Sequence, residues 1–342
     1  MNGRIVTAVA AVLLAGVCVS ARQRPAEPAT GPAEIAAVQG TAFGPDGRIF
    51  DQLSVNLVDA NTRRVLWDAV LEDDGTFRFR AVPAGRYRLV ARGTVHGPPA
   101  PGSRMRTSSV FVGIADVHVD GQATVTAPVT MGSGVSLTGR IMASPSSTSR
   151  LDFKKVYVGV SRTDLPDSLI AHQLAVRYEP DGRFEVQGLP PGRYTMRVSL
   201  APALAGWRPL SAVAGGVDML DVPIEIAEDA RGVVLTLTDR PTGLTLGLRD
   251  TAGAAVHDVS VVVYSSDRRH WFTGSRWLAL ARPDTEGELR VEHLPPGNYR
   301  IAIVRDVPAS WQERVFLETL RASGTIVLGE GEDATREIVI VR

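Results

Sequence analysis

The chain has 342 residues, and its 37 Lys and Arg balance its 37 Asp and Glu, so the formal net charge is zero. This length predicts two or three domains, each able to bury its own core. The charge balance argues against nucleic acid as a partner, because a polyanion requires a clustered basic surface. A single cysteine, Cys18, excludes an internal disulfide and a cysteine-based metal cluster.

The first 21 residues are predicted to be a signal peptide. Arg4 precedes an uncharged apolar run over 5–19, and Val19-Ser20-Ala21 provides the small residues that signal peptidase reads. The run is shorter than the roughly 20 residues of a membrane-spanning helix. We therefore expect cleavage after Ala21, export to the periplasm or the extracellular space, and no transmembrane span after cleavage.

Two alternatives to cleavage stay open at the N-terminus. A lipoprotein anchored through Cys18 is the less favoured one, because Val17 stands where a lipobox has Gly or Ala. An uncleaved membrane anchor is the other. Residues 22–36 are rich in Pro and Ala and are predicted to form a flexible linker.

An internal repeat organises the remainder of the chain. Similar stretches occur at 75–90 (GTFRFRAVPAGRYRLV), 182–198 (GRFEVQGLPPGRYTMRV) and 287–303 (GELRVEHLPPGNYRIAI). Two sets of equivalent residues keep spacings of 107 and 105 positions: Gly75, Gly182 and Gly287, and Tyr87, Tyr194 and Tyr299. The spacing predicts three tandem β-sandwich modules, over 37–131, 132–238 and 239–342.

The repeated motif has a structural explanation in each copy. An acidic residue followed by Gly, as in Asp74-Gly75, is typical of a tight turn in which Gly adopts a positive φ. Apolar and polar residues then alternate, which predicts a strand with one buried face. Pro and Gly turn the chain sharply, and we expect the following Tyr to pack its ring on the core and bond nearby backbone, as in a tyrosine corner.

Further strands are predicted around the motif in chain order. In the first module they cover 38–43, 54–60, 63–71, 108–119 and 123–131; in the second 136–142, 156–162, 172–178 and 233–238; in the third 244–250, 259–265 and 336–342. One helix is predicted over 308–321, started by Pro308, with an apolar stripe of Trp311, Val315, Phe316 and Leu320 that covers a sheet edge or open end. The predicted fold is all-β: three tandem Ig-like or transthyretin-like β-sandwiches, with one short helix in the third.

The repeat resembles the carboxypeptidase regulatory-like domain, a transthyretin-like or Cna-B-like sandwich. The resemblance rests on the pattern from Asp-Gly to Pro-x-Gly-x-Tyr at 74–87 and 181–194, and at 286–299 with Glu286 and Leu289 as departures. The tracts 206–226 and 239–256 also resemble uncharacterised exported bacterial proteins. The resemblance implies grouping with starch-binding-like folds, and hence carbohydrate binding. It implies no peptidase activity, since the catalytic domain of a carboxypeptidase is separate.

Motifs of catalysis and of cofactor binding are absent from the sequence. No histidine begins an HxxE or HExxH, no G-x-S-x-G occurs, and no Gly-Lys pair completes a P-loop. Acidic clusters at 72–74 and 330–333 are interpreted as turns, with weak calcium binding as the alternative. We expect no enzyme activity, no catalytic residue, no metal site and no cofactor.

One segment, 267–277 (DRRHWFTGSRW), concentrates residues that suit a saccharide. Aromatic rings stack on sugar faces, while Arg and His bond the hydroxyls. The candidate ligand-binding residues are Arg268, Arg269, His270, Trp271, Phe272, Arg276 and Trp277. The alternative, which we favour, is that the tryptophans pack on Trp311 and the nearby helix.

Two functional hypotheses follow from the sequence. The first is a non-catalytic exported binding protein that recognises a polysaccharide or a cell-envelope protein through its sandwich modules. The second is a structural spacer or protein-interaction scaffold with no small ligand, because sandwiches joined by short linkers have a fixed length.

Overall fold

The computed structural model describes residues 36–99, 106–166, 169 and 175–341. The predicted signal peptide and nearly all of the predicted 22–36 linker lie outside the described residues. Nearly all regular structure in these ranges is β, so the all-β prediction is confirmed. Within the described residues, the strands form six sheets, and each sheet draws its strands from only one of the stretches 36–130, 135–238 and 243–340.

The strands of the first stretch form two sheets that face each other across a common core. One sheet has the order β4-β5-β1-β8, with β9 also paired to β1, and the other has the order β3-β2-β6-β7. The strands are β1 (Ala36–Phe43), β2 (Gln52–Asp59), β3 (Val65–Asp68), β4 (Val70–Leu71), β5 (Thr76–Val82), β6 (Gly85–Pro99), β7 (Arg106–Val119), β8 (Val125–Thr126) and β9 (Val129–Thr130). Phe77, Phe79 and Leu89 are fully buried between them.

The second stretch repeats this arrangement with a larger sheet. Its sheets have the orders β12-β13-β10-β18-β15-β16 and β11-β14-β17. The strands are β10 (Val135–Ala143), β11 (Val156–Arg162), β12 (Ala175–Tyr178), β13 (Arg183–Leu189), β14 (Gly192–Leu200), β15 (Arg208–Ala214), β16 (Val217–Asp218), β17 (Ile224–Ile226) and β18 (Ala230–Thr238).

The third stretch forms sheets with the orders β22-β19-β25 and β21-β20-β23-β24. Its elements are β19 (Gly243–Asp250), β20 (Ser260–Ser265), β21 (Leu278–Ala281), β22 (Glu288–Glu292), β23 (Gly297–Val304), α1 (Arg314–Thr319), β24 (Gly324–Leu328) and β25 (Asp333–Ile340). We call these arrangements the first, second and third sheet pairs. The three-module division at 37–131, 132–238 and 239–342 agrees with this grouping and stays a prediction.

The repeated motif carries the chain from one sheet of a pair to the other. Tyr87, Tyr194 and Tyr299 each donate their hydroxyl to the carbonyl oxygen of the proline four residues earlier, over 3.0, 2.5 and 2.6 Å. The turn glycines have φ of +84°, +87° and +77° at Gly75, Gly182 and Gly287, as their Asp-Gly and Glu-Gly turns require. The motif is thus a sheet-to-sheet corner.

A feature of the corner that the sequence did not indicate is a left-handed residue two positions before the proline. Ala81, Gly188 and His293 have φ of 62°, 76° and 64°. In the first two pairs the ladder to the neighbouring strand shifts register at this point, which is typical of a β-bulge. The left-handed conformation is therefore imposed by the corner, whichever residue occupies the position.

Two predicted elements differ from the structure. The strand over 123–131 is two short strands, β8 and β9, because Pro128 between them has no N–H for a ladder bond. The strand over 63–71 divides into β3 and β4, which belong to different sheets.

The predicted helix over 308–321 is limited to α1, six residues long. Separate turns occupy 308–313, and the extended Glu313 precedes α1 with no capping bond from its side chain. The expected stripe is right in part: Trp311 and Leu320 pack against the cluster that contains the buried Leu317, whereas Val315 is 75% exposed. Leu317 packs on a sheet face and not on an edge, because its cluster contains Val262, Tyr264 and Ala302 of β20 and β23.

The corner geometry predicts opposite effects for two matched substitutions. Ala81 is exposed, and its left-handed backbone costs a non-glycine residue about 1–2 kcal/mol. We expect Ala81→Gly to raise the free energy of unfolding by about 0.5–1 kcal/mol, after the entropy that glycine adds to the unfolded chain. Gly188→Ala is the reverse substitution and is expected to lower it by about 1 kcal/mol. Urea unfolding measures both, and a loss of stability in Ala81→Gly would contradict the analysis.

Candidate functional site

Trp271 belongs to the protein interior and not to an open aromatic platform. It follows a short turn over Arg268–His270 in the connection from β20 to β21, and only 6% of it is exposed. Its Nε1 donates to the carbonyl oxygen of Ser265 over 2.7 Å, and its ring meets Tyr264 edge-on at 5.5 Å. It shares a cluster with Leu317 and Trp311, so the packing alternative describes this residue.

Trp277 packs against two neighbouring rings. The His270 imidazole stacks on the Trp277 ring, with ring centroids 4.0 Å apart and an interplanar angle of 6°. The Tyr299 ring stacks on it with a centroid distance of 5.8 Å and an interplanar angle of 25°. Gly297 allows this approach, since a Cβ there would lie 2.6 Å from the Trp277 ring. Trp277 therefore fixes β21 onto the corner of the third sheet pair, and its ring is partly buried among protein side chains.

His270 completes this stack. Its Nδ1 lies 3.1 Å from Ser265 Oγ, and burial lowers its pKa, which favours the neutral form of the ring. A neutral imidazole stacks on Trp277 without requiring a counter-charge. The residue acts as a packed ring beside the corner.

Arg276 points away from the segment and into the second sheet pair. Its Nε and Nη2 each lie 2.8 Å from an oxygen of Asp221, and Nη2 lies 3.0 Å from Asp218. Its Nη1 donates to the carbonyl oxygens of Pro209 and Leu210. Asp221 is only 5% exposed, so this is a largely desolvated, bidentate ion pair between two sheet pairs.

The other three candidates lie on the surface. Arg269 is bound by Asp267, and this hydrogen-bonded pair lowers the pKa of Asp267 to about 2. Arg268 lies over the Trp271 ring at 5.5 Å and 3.6 Å from Glu318. Phe272 is 37% exposed. The predicted set is thus divided between packed and exposed residues, and saccharide binding by it stays a prediction.

The junction between the first and second sheet pairs is a second polar arrangement, which the sequence analysis missed. Arg88 of β6 binds Asp116 of β7 at 2.8 Å and Asp164 of the second pair at 2.6 Å. Arg162 binds the other oxygen of Asp164 at 2.6 Å. Arg162 and Asp164 are two positions apart, but Arg88 and Asp116 lie 28 or more positions from each other and from that pair, so no motif connects the two sides of the junction.

Apolar contacts support the same junction. Val58 and Val90 of the first sheet pair are buried, and they belong to the core cluster of the second pair. The chain crosses the junction over 131–134, where Met131 donates its backbone N–H to Phe43 and is 1% exposed. The first and second pairs are therefore continuous in their packing.

The junction between the second and third sheet pairs has a short, hydrogen-bonded link. Residues 239–242 connect β18 to β19, and Asp239 accepts bonds from Thr148 and from the Ser149 backbone at 2.7–3.2 Å. Burial raises the pKa of Asp239, but these bonds together outweigh it and lower that pKa well below its usual range. Across the junction, Glu330 accepts hydroxyl bonds from Ser144 and Ser146 at 2.9 and 2.5 Å.

The acidic clusters, interpreted as turns with weak calcium binding as the alternative, take part in turn hydrogen bonds and ion pairs. Asp74 accepts from the Thr76 N–H, Glu332 accepts from the Gly329 N–H, and Asp333 binds Arg290 at 2.9 Å. Over 36–99, 106–166 and 175–341, no group of three or more His, Cys, Asp or Glu is arranged to hold a metal ion.

A groove of about 800 Å³ crosses the outer face of the second sheet pair. Its arginines alternate with carboxylates, and Arg183 is paired with both Glu179 and Asp181. Positive and negative side chains are therefore mixed along the groove, and neither sign of charge dominates its surface.

No protein-family model matches the chain, and no curated protein matches it. The resemblance to the carboxypeptidase regulatory-like domain is thus not confirmed. Solved structures that are similar include the Bacillus anthracis TIE protein, at 12% identity and a TM-score of 0.20 over 90% of this chain and 50% of that one. A streptococcal ancillary pilin is 13% identical with a TM-score of 0.27, over 90% of this chain and 99% of that one. The minor pilin of Streptococcus agalactiae is 12% identical with a TM-score of 0.30, over 61% of this chain and 96% of that one.

These likenesses carry no inference about function at such identities and TM-scores. The chain spans about half the length of the Bacillus anthracis protein. In the part of the chain that the structure describes, no helix has the length and apolarity to cross a membrane.

The burial of Trp271 predicts a large difference between two adjacent aromatic residues. Trp271→Ala removes a packed ring and leaves the Ser265 carbonyl without its donor, so we expect a loss of about 3–5 kcal/mol in the free energy of unfolding. Phe272→Ala, the exposed control, is expected to change it by less than about 1 kcal/mol. Guanidinium unfolding followed by circular dichroism measures both, and equal effects would contradict the assigned packing.

Proposed function

We propose that the protein is a non-catalytic, exported cell-surface scaffold that holds its sandwiches at fixed spacing and orientation. The observation that carries the proposal is the Arg276–Asp221 pair, because it is largely buried and joins sheet pairs that only four link residues connect. Flexible linkers between independent domains are usually polar and make few contacts. Here the link itself is hydrogen-bonded to the second sheet pair.

The first junction supports the same function. Arg88, Asp164 and Arg162 form a continuous charged chain between sheet pairs, and Val58 and Val90 add apolar contact beside it. An ion pair alone would contribute little at an exposed site, but a network next to buried side chains is screened less by water. Both junctions therefore resist bending.

The rigidity is tested by the distance between the second and third sheet pairs. In a protein in which Cys18 is replaced by serine, exposed Arg231 and Glu288 are replaced by cysteines carrying spin labels, and the label distance is measured by double electron–electron resonance. We expect one narrow distribution in the otherwise unchanged protein. Arg276→Ala removes the bidentate pair and is expected to broaden the distribution at least about twofold.

The matched control is Arg269→Ala, which removes an exposed ion pair from the same segment and is expected to leave the distribution narrow. A broad distribution in the protein with Arg276 intact would overturn the scaffold proposal. A broadening of equal size in both variants would assign the rigidity to something other than the junction.

Saccharide binding, with a polysaccharide or a cell-envelope protein as partner, is the second candidate. The observation that favours it is the joint exposure of Phe272, Arg268 and Arg269 on one connection. Binding to a glycan array is expected to fall at least about tenfold in Phe272→Ala and to be unchanged in Phe43→Ala, an equally exposed ring of the first sheet pair. No retention on any glycan would contradict this candidate.

A further inference from the structure

A cleft of about 200 Å³ lies at the junction of the second and third sheet pairs. It is bounded by the start of β15, by the 239–242 link and by the corner that precedes β23. The titratable side chains that line it are Arg208, Arg240, Arg276 and His293, and among the described residues no Asp or Glu lines it. The wall of the cleft is therefore cationic, although the whole chain is neutral.

Two of these arginines retain donors for a ligand. Arg208 uses only Nη1, on the carbonyl oxygens of Ala205 and Trp207, and the Arg240 side chain donates no hydrogen bond to any described residue. Arg208 pairs with Thr238, two positions before Arg240, so the two side chains start from the same end of β15 and β18. Arginine donors in pairs suit a planar carboxylate.

The acidic groups near the cleft are already engaged. Arg276 uses its donors on Asp221, Asp218 and two carbonyl oxygens, so its charge is compensated. Glu330, which acts on Arg240 electrostatically, accepts from Ser144 and Ser146 across the junction. The free cationic donors in the cleft are thus those of Arg208 and Arg240, with His293 exposed beside them.

Most of the remaining lining is apolar, with Thr238 and Thr242 as the polar exceptions. Pro209, Pro241, Pro295 and Pro296 contribute pyrrolidine rings, and two leucines complete the wall. The volume lies below the roughly 300–1,000 Å³ of sites for drug-sized ligands. A cleft of this size accepts one ring with an apolar face and one anionic group, and not a folded domain.

We propose that this cleft binds one uronic-acid residue of an acidic polysaccharide. Arg208 and Arg240 hold its carboxylate, and the C–H face of its ring lies on the proline wall. The ligand contacts the second sheet pair, the link and the third sheet pair together. The proposal depends neither on the scaffold function nor on Phe272, because it uses different residues.

The test is titration of the isotope-labelled protein with D-galacturonate, followed by the amide resonances of Thr242 and His293 and by calorimetry. We expect saturable binding, weakened at least about tenfold by Arg208→Gln and by Arg240→Gln, since each removes one charge-assisted contact. Arg240→Lys keeps the charge and is expected to recover part of the affinity. Arg305→Gln, which alters an exposed arginine outside the cleft, is expected to leave the affinity unchanged.

Three comparison ligands separate the explanations. D-galactose lacks the carboxylate and acetate lacks the ring, so both are expected to bind at least about tenfold more weakly than D-galacturonate. Sulfate of equal affinity would show a general anion site and overturn the saccharide assignment. Absence of D-galacturonate binding by the folded protein, verified by its unchanged amide spectrum, would overturn the proposal while leaving the spin-label distances unaffected.

Discussion

The hydrogen bond from each corner tyrosine to its proline carbonyl is the contact on which the architecture depends. It closes the crossing from β5 to β6, from β13 to β14 and from β22 to β23, where the chain leaves one sheet and enters the facing one. Burial raises the pKa of Tyr194 to about 12, so the hydroxyl keeps its proton and its donor role at all ordinary pH values. This crossing fixes the position of one sheet of a pair relative to the other.

The residue opposite the corner tyrosine adapts each copy to its neighbour. The cross-strand partners of Tyr87, Tyr194 and Tyr299 are Asp59, Arg162 and Ser265. Arg162 holds Asp164 in the first junction, and Ser265 accepts the Nε1–H of Trp271 and contacts His270. One position in a shared framework thus supplies an ion-pair partner in one copy and a packing anchor in another.

The sequence predicted the fold well where alternation and the repeat were strong. The strand over 156–162 was predicted with its exact ends, and those over 244–250 and 259–265 to within one residue. Strands β15, β16, β17, β21 and β24 were missed, because they are short or interrupted, as by Pro209 in β15, and owe their conformation to pairing with longer neighbours. The helix failed for a related reason: a local apolar spacing did not reveal that Glu313 would be extended.

The candidate site shows where reasoning from composition fails. Trp271 and Phe272 are adjacent aromatic residues, yet one is 6% and the other 37% exposed. Only packing against Tyr264 of β20 and Leu317 of α1 distinguishes Trp271 from Phe272. The sequence around Arg276 likewise did not indicate its partners, because Asp218 and Asp221 lie more than 50 positions earlier and belong to another sheet pair.

The parallel pairing of the first and last long strands has a mechanical consequence. In the second sheet pair β10 runs parallel to β18, and in the third β19 runs parallel to β25. The start of the first strand and the end of the last strand therefore lie at opposite ends of their shared ladder. Tension along the chain would then load the hydrogen bonds of that ladder in shear, and many bonds would have to break together. Resistance to a steady pull would be governed by the rate of that rupture, and not by the equilibrium stability of the sandwich.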